Sequence, residues 1–176
     1  LKECRGVSVK NVDLKIYLNN KYFKSQGDLL ITHWGFSGPS ILRLSSEAAR
    51  DLYEKKYNFK LSIKWTNLDL HELKNRMDTL REFNGTSNIC NLRPIPSLTK
   101  RLWLYLLNKL EIDSTKNWSS LFSKERYKII NTLLNDEYQI NGKGPFSEEF
   151  VTSGGVSLDE VSFKTMESFI CKGLYF

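Results

Sequence analysis

The fold class is decided by a stretch near the start of the chain, Val7-Ser8-Val9-Lys10-Asn11-Val12-Asp13-Leu14-Lys15-Ile16-Tyr17-Leu18. Apolar residues recur in it with a period of nearly two, which is the pattern of a strand with one buried face. The period slips once, at Lys10-Asn11, as it does at a β-bulge. The stretch therefore predicts a long, half-buried β-strand with one bulge.

Further strands are predicted before and after Gly27, and two more are predicted later in the chain. Asn19-Asn20 predicts a turn, Tyr22-Phe23 a short strand, Gly27-Asp28 a second turn, and Leu29–Thr32 another brief strand. Later in the chain, Phe59, Leu61, Ile63 and Trp65 alternate with lysine and serine. Residues 137–140 return to a strand pattern after a long helical region.

Helices are predicted where the apolar period lengthens. Pro39 suits the first turn of a helix that should run to about Lys55. Residues 67–135 then carry three amphipathic stripes of Leu, Ile and Met, which are typical of helix–helix packing. The candidate caps are Asn67 or Asp69 for the first helix and Ser97 for the second, and the third should begin near Ser123. This order predicts an α+β fold, a β-barrel or sheet interrupted by a helical bundle.

Composition limits the classes of function. The chain has 176 residues, a formal net charge of +6 and a hydrophobic content of 40%, as expected of a globular protein. No apolar run approaches the roughly 20 residues that span a bilayer. The lysines are interleaved with Asp and Glu, which favours a solvated basic surface over a face that binds polyanions. Three scattered cysteines, none at ligand spacing from a histidine, predict neither a disulfide framework nor a metal site and fit a reducing cytoplasm.

The segment Gly27–Pro39 carries the first motif, a strand that feeds a glycine-bearing loop and opens a helix. Backbone N–H groups at a helix start favour an anionic or electron-rich partner. Thr32, His33 and Ser37 add polar side chains beside them, and histidine can handle protons near neutral pH. The alternative is a tight strand-to-helix turn in which Gly35 and Gly38 serve backbone geometry alone.

The second motif runs from Phe150 to Val156 and includes Gly154-Gly155, a pair that lets another group approach the backbone closely. Leu174-Tyr175-Phe176 has the pattern of a buried strand that begins as the sequence stops. This pattern favours the interpretation that the sequence is a fragment of a longer protein.

Together, Gly27–Leu42 and Val151–Phe176 resemble two motifs of the NAD(P)/FAD-dependent oxidoreductases of the aminoacetone oxidase-like (BaiN-type) flavoprotein family. The first match is to Gly-Asp-Leu-Leu-Ile-Thr-His followed by Gly, Ser-Gly-Pro and Ile-Leu. The second is to Val-Thr-Ser-Gly-Gly-Val, Lys-Thr-Met-Glu-Ser and Gly-Leu-Tyr-Phe. The two motifs cover about a quarter of the chain, and Ser153 stands where the family usually has Ala.

The resemblance implies an insert domain followed by the returning segment of a split FAD-binding domain. Residues 1–66 and 136–147 would form a small, translation-factor-like β-barrel, residues 67–135 an inserted helical bundle, and residues 148–176 the returning segment. FAD would bind to the full-length parent, whereas this fragment, which lacks a GxGxxG motif, is not expected to bind FAD or turn over alone.

The resemblance also implies roles for individual residues. His33 would act in catalysis, and a loop with Thr32, Gly35, Ser37 and Gly38 would face the substrate cleft. The flavin would be contacted by Thr152, Gly154, Gly155 and Val156. The expected partners are the FAD domain of the same parent chain and a small-molecule substrate of unspecified class, with no metal, membrane or nucleic acid.

A rival interpretation is a basic β-barrel module that contacts RNA or a protein partner. Phe59 and Trp65 alternate with lysines on one predicted strand, so they should face inward and cannot stack on bases. A pure oligomerisation domain is a third possibility.

Overall fold

The computed structural model describes residues 1–144 and 154–176 of the chain. Five antiparallel strands form one sheet in the order β3-β2-β1-β4-β5. They are β1 (Ser8–Leu18), β2 (Lys21–Ile31), β3 (Phe36–Ser37), β4 (Asn58–Lys64) and β5 (Asp136–Asn141). The sheet curls into a half-barrel, and the predicted α+β fold of a barrel with helical elements is confirmed.

The hairpin of β1 and β2 begins the sheet. Asn19 and Asn20 adopt φ angles of 47° and 62°, as two-residue hairpin turns require, so the predicted turn is confirmed. The predicted bulge is also present, because the register shifts between Val9 and Val12 and Asn11 has a φ of 52°.

The predicted turn at Gly27-Asp28 is wrong, because β2 continues through it as a single strand. Gly27 pairs with Val12 beside the bulge and has a φ of 149°. A Cβ at Gly27 would lie 2.6 Å from a guanidinium nitrogen of Arg43, whose side chain donates to the carbonyl oxygen of Gln26. The Arg43 side chain could move aside, so the positive φ is what calls for glycine here, inside the strand beside the bulge.

Five α-helices lie within the described residues: α1 (Pro39–Glu47), α2 (Ala49–Glu54), α3 (Leu70–Phe83), α4 (Lys100–Lys109) and α5 (Ser123–Leu134). The prediction of one helix from Pro39 to Lys55 is wrong, because the chain breaks at Ala48 with φ −97° and ψ 11°. Just before the break, the Ser45 hydroxyl donates to the carbonyl oxygen of Leu42, a local bond that competes with helix geometry.

The N-terminal cap was predicted correctly for α3 and incorrectly for α4. Asp69 caps α3, as one of the two predictions had it, and forms a reciprocal capping box with Glu72. For α4 the prediction of Ser97 is wrong, because Thr99 accepts from the N–H of Leu102 instead. Leu98 still belongs to the preceding turn, since its N–H donates to the carbonyl oxygen of Ile95.

The sheet and the helices share one hydrophobic core. Leu14, Leu29 and Ile63 face it from the strands, and Leu106 and Leu133 face it from α4 and α5. The two edge strands of the sheet also approach each other, because the rings of Phe36 on β3 and Tyr138 on β5 pack edge to face at 5.1 Å. In the described structure no backbone hydrogen bonds join β3 to β5, so this side-chain contact links the two edges of the curled sheet.

The segment 154–176 consists of turns, a short 3₁₀ helix (Leu158–Glu160) and two isolated bridges, Val161 with Ser168 and Glu167 with Tyr175. The expected strand opening at residues 174–176 is wrong in this structure. The chain turns at Gly173, which has a φ of 85°, and the N–H of Phe176 donates to the carbonyl oxygen of Met166. No helix in the two described ranges has the length and apolar character needed to cross a membrane.

Candidate functional site

The loop from Thr32 to Gly38 joins β2 to α1 and contains the first predicted site residues. The N–H of Thr32 donates to the carbonyl oxygen of Gly35 at 2.8 Å, and the Thr32 hydroxyl donates to the same oxygen at 3.2 Å. β3 then pairs back onto β2, with Ser37 opposite Leu30. The loop is thus a tight turn held at both ends.

Gly38 fixes the exit of this loop into α1. It has a φ of 103°, and a Cβ there would lie 2.9 Å from the carbonyl oxygen of Asp28 and 3.1 Å from the nitrogen of Leu30. The buried hydroxyl of Ser40 donates to the same Asp28 oxygen at 2.8 Å. A side chain at position 38 would therefore meet backbone on β2 that has little room to move.

His33 and Trp34 stand at the tip of the loop. Both side chains are exposed, and their ring centroids lie 3.5 Å apart in an edge-on arrangement. Hydrogen bonds between described residues leave the imidazole of His33 free to donate or accept. The loop therefore carries an imidazole and an indole at its exposed tip.

The loop leaving β5 comes close to this tip. A Cβ at Gly144 would lie 3.9 Å from the indole nitrogen of Trp34. Lys143, in the same loop, lies 5.8 Å from the centre of the Tyr57 ring. The curl of the sheet thus brings residues far apart in sequence to one rim, a juxtaposition that sequence spacing does not reveal.

A buried polar cluster lies below the contact between Phe36 and Tyr138. Asp136 accepts from the indole of Trp65 at 2.9 Å, from the Tyr138 hydroxyl at 2.6 Å and from the Lys109 ammonium at 2.5 Å. Lys109 also lies 4.1 Å from the centre of the Tyr138 ring. Burial, and then the charge of Asp136, raise the pKa of Tyr138 well above its usual range, so the phenol stays protonated and donates.

This cluster was missed by the sequence reasoning, although Trp65 was expected to face inward. Because three side-chain donors converge on the Asp136 carboxylate, the cluster ties the end of β4, strand β5 and helix α4 together. The available signal was an acidic residue, Asp136, in the same alternating phase as Tyr138 and Ile140.

The second group of predicted residues falls in the C-terminal segment. Gly154, Gly155 and Val156 are exposed, and a Cβ at either glycine would meet nothing within 4 Å. Thr152 lies outside the described residues. No hydrogen bond between described residues joins this segment to the Thr32–Gly38 loop.

Exposed apolar side chains are concentrated in the same segment. Phe163, Phe169, Ile170 and Tyr175 are each more than 60% exposed, while Val161 is the one apolar residue buried among residues 154–176. Exposed apolar surface of this density marks a contact surface in soluble proteins. In the parts of the chain that the structure describes, no group of three His, Cys, Asp or Glu side chains is placed to hold a metal ion.

Most of the chain is similar in sequence to known proteins. Residues 1–151 match the sequence model of the HI0933-like protein barrel and H2TH domain, a range that includes the sheet, α1–α5 and the Thr32–Gly38 loop. The chain is also similar to the ribosomal RNA dihydrouridine synthase of Escherichia coli (strain K12), with 30% identity over 149 residues. That alignment covers 85% of this chain and 34% of that protein, so the chain spans about a third of its relative's length.

Proposed function

Because the chain belongs to the HI0933-like barrel and H2TH domain family, whose members are FAD-dependent oxidoreductase-like proteins, we propose that it caps the flavin site of such an enzyme. In this proposal residues 1–66 and 136–147 form the barrel of the cap, residues 67–135 its helical part, and residues 148–176 a return into the FAD domain. The Thr32–Gly38 loop faces the cleft between cap and flavin.

The exposed apolar residues of the C-terminal segment support a partner of this kind. Phe169 and Ile170 are 70% and 73% exposed, a costly state for large apolar side chains in water. The relative's alignment leaves roughly two thirds of that protein outside the matched region, which is ample room for an FAD domain. We assign these side chains to the contact with the FAD domain of the same parent.

The described residues could contact a flavin, but they do not form a dinucleotide-binding fold that would enclose one. A dinucleotide fold needs parallel strands joined by a crossover helix, and every strand pairing in the described sheet is antiparallel. The backbone at Gly154 and Gly155 is open to the approach of another group. When bound, FAD would supply the two-electron chemistry, while this chain would shield the cleft and place polar groups within it.

The substrate that we propose is a uridine in ribosomal RNA, and the observation that carries this choice is the named activity of the relative from Escherichia coli. Reducing uridine to dihydrouridine adds two electrons and two protons across one carbon–carbon double bond, with NADH or NADPH as the proposed reductant. His33 would deliver one of the protons. This substrate differs from the expectation drawn from the sequence, which was a small-molecule substrate implied by the family resemblance and no nucleic acid.

The test uses the complete protein that carries this chain. We expect it to purify with bound flavin, visible as absorbance at about 450 nm. Incubated with NADH or NADPH and ribosomal RNA from cells that lack the gene, it should produce dihydrouridine detectable by mass spectrometry of the digested RNA. Heat-inactivated protein and omission of the nicotinamide are the controls.

Two negative results would have different meanings. A protein that binds no FAD would overturn the assignment to a flavoenzyme cap. The protein could instead contain flavin that a nicotinamide reduces, yet leave every RNA tested unmodified. That result would overturn the proposed RNA substrate but not the assignment to a flavoenzyme cap.

The contact with the FAD domain has its own test. Replacing Phe169 and Ile170 together by Asp should weaken flavin retention, because charges would enter an apolar contact. Tyr53→Asp, at an exposed position on α2, is the matched control. Equal flavin retention in both variants would contradict the assignment.

A further inference from the structure

The outer face of the β1–β2 hairpin carries two unusual cross-strand pairs. Tyr17 lies opposite Tyr22 and Lys15 lies opposite Lys24, in adjacent outward-facing rows. The two tyrosines are 53% and 72% exposed, with ring centroids 4.6 Å apart. We call these four side chains the Lys–Tyr patch.

The patch has an excess of positive charge. Asp13 and Glu137 share the outer face of the sheet, and each lies 3.9 Å from another lysine, Lys64 and Lys60 respectively. Asp28, in the same phase of β2, accepts from the backbone N–H of Asn11. Lys15 and Lys24 form no ion pair with any residue that the structure describes. Their two charges are therefore left for an external anion.

The arrangement is unfavourable for the free protein. Like charges directly opposite each other on antiparallel strands repel. The tyrosine rings contact each other, and the Tyr17 hydroxyl donates to Asn20, but both residues stay more than half exposed. Aromatic rings beside uncompensated cations are, however, the combination that binds single-stranded nucleic acid, through base stacking and phosphate contacts. Positions two residues apart along a strand are separated by about 6.8 Å, so a base on the tyrosines leaves a neighbouring phosphate within reach of the lysines.

We propose that the Lys–Tyr patch binds single-stranded RNA, with Tyr17 and Tyr22 stacking on bases and Lys15 and Lys24 contacting phosphates. This inference rests on the proposed RNA substrate. It adds a surface, outside the flavin cleft, that binds another part of the same RNA. Phe59 and Trp65, the aromatic residues considered from the sequence, face inward or lie half-buried, whereas the tyrosines of the neighbouring hairpin are exposed.

The experiment measures binding of a fluorescein-labelled oligouridylate to the complete protein at several salt concentrations. Replacing Lys15 and Lys24 together by Gln should weaken binding and reduce the magnitude of the salt slope by about 1.4, the value for two phosphates on a single strand. Replacing Tyr17 and Tyr22 together by Ala should weaken binding by about 5-fold or more with little change in slope.

A matched control removes the same charge elsewhere. Lys124 and Lys128 are exposed on α5, and their replacement by Gln should leave the salt slope nearly unchanged. The Lys15/Lys24 variant should also melt at a higher temperature than the unmodified protein, because it relieves the repulsion between them. A loss of binding in that variant then cannot be ascribed to unfolding.

The outcomes separate this inference from the proposed function. The unmodified protein could make dihydrouridine while the patch variants match it in RNA affinity, salt slope and KM for ribosomal RNA. That result would contradict RNA binding by the Lys–Tyr patch and leave the proposed function intact. If the variants lose affinity as much for an acidic peptide such as polyglutamate as for the oligouridylate, RNA is the wrong class of partner. If the unmodified protein neither binds nor modifies RNA, both proposals fail.

Discussion

The ammonium of Lys109 on α4 lies 2.5 Å from the carboxylate of Asp136 on β5, and the Asp136 side chain is only 2% exposed. The same carboxylate accepts from Trp65 and Tyr138, so three donors satisfy one buried charge. Residues 27 positions apart thereby join the helical region to the sheet.

Replacing Asp136 by Ala should lower the free energy of unfolding by about 3–5 kcal/mol, because it leaves a half-buried ammonium and a buried indole N–H without their acceptor. Urea unfolding followed by fluorescence measures this change. The neighbouring Glu137→Ala is the control, since its ion pair with Lys60 is loose and exposed and should contribute less than about 1 kcal/mol. Equal losses in the two variants would contradict the role of Asp136.

Stability should fall in alkaline solution partly because of Tyr138. Burial and Asp136 hold the folded-state pKa of this phenol above its unfolded value of about 10, so the folded protein keeps a proton that the unfolded chain releases. The stabilisation is therefore complete below about pH 10 and declines as the pH rises further. Tyr138→Phe should show a shallower decline in the free energy of unfolding between about pH 9.5 and 11. Parallel curves for the two proteins would contradict this prediction.

Gly38→Ala should be more destabilising than Gly6→Ala, although both glycines have positive φ angles. At Gly6 a Cβ meets nothing within 4 Å, so only backbone strain of about 1–2 kcal/mol applies. At Gly38 the Cβ also meets the backbone of β2 at 2.9 Å, which should add at least about 1 kcal/mol. Thermal melting of both variants measures the difference, and a smaller loss at Gly38 would show that the loop relaxes freely.

The start of α4 can be tested by two neighbouring substitutions. Thr99→Ala should cost about 1 kcal/mol, because the N–H of Leu102 loses its side-chain acceptor. Ser97→Ala should change stability by less than about 0.5 kcal/mol, since its exposed side chain makes no hydrogen bond to a described residue. The reverse order of effects in urea unfolding would place the cap at Ser97.

His33→Ala in the complete protein should lower kcat about 10²- to 10⁴-fold while flavin content stays unchanged, if the imidazole transfers a proton in the cleft. The chain offers a matched control in His71, which is exposed on α3 and bonded to Asn75. His71→Ala should leave kcat unaltered. Unchanged turnover in His33→Ala would remove this residue from the mechanism.

The sequence points to the candidate site residues only where they are contiguous. Thr32, His33, Gly35, Ser37 and Gly38 lie in one loop, and their local pattern fits either a binding loop or a tight strand-to-helix turn. The family resemblance, which also rests on contiguous residues, is what assigns them to a site. Their assignment to a cleft with Gly154, Gly155 and Val156 remains a prediction, because it depends on how distant segments meet. The Lys–Tyr patch escaped notice because Lys15 and Lys24 become neighbours only through strand register.

The sequence by itself determined the elements whose signals are local. The bulged strand β1 and the capped helix α3 follow from apolar period and from Asp69 with Glu72, which act within one turn or one strand. The tertiary structure alone decided that β2 runs through Gly27, that the strands take the order β3-β2-β1-β4-β5, and that Phe36 meets Tyr138 across the curl. These depend on pairing between distant segments and on burial of a shared core, and no local pattern encodes which distant partner gives the lowest free energy.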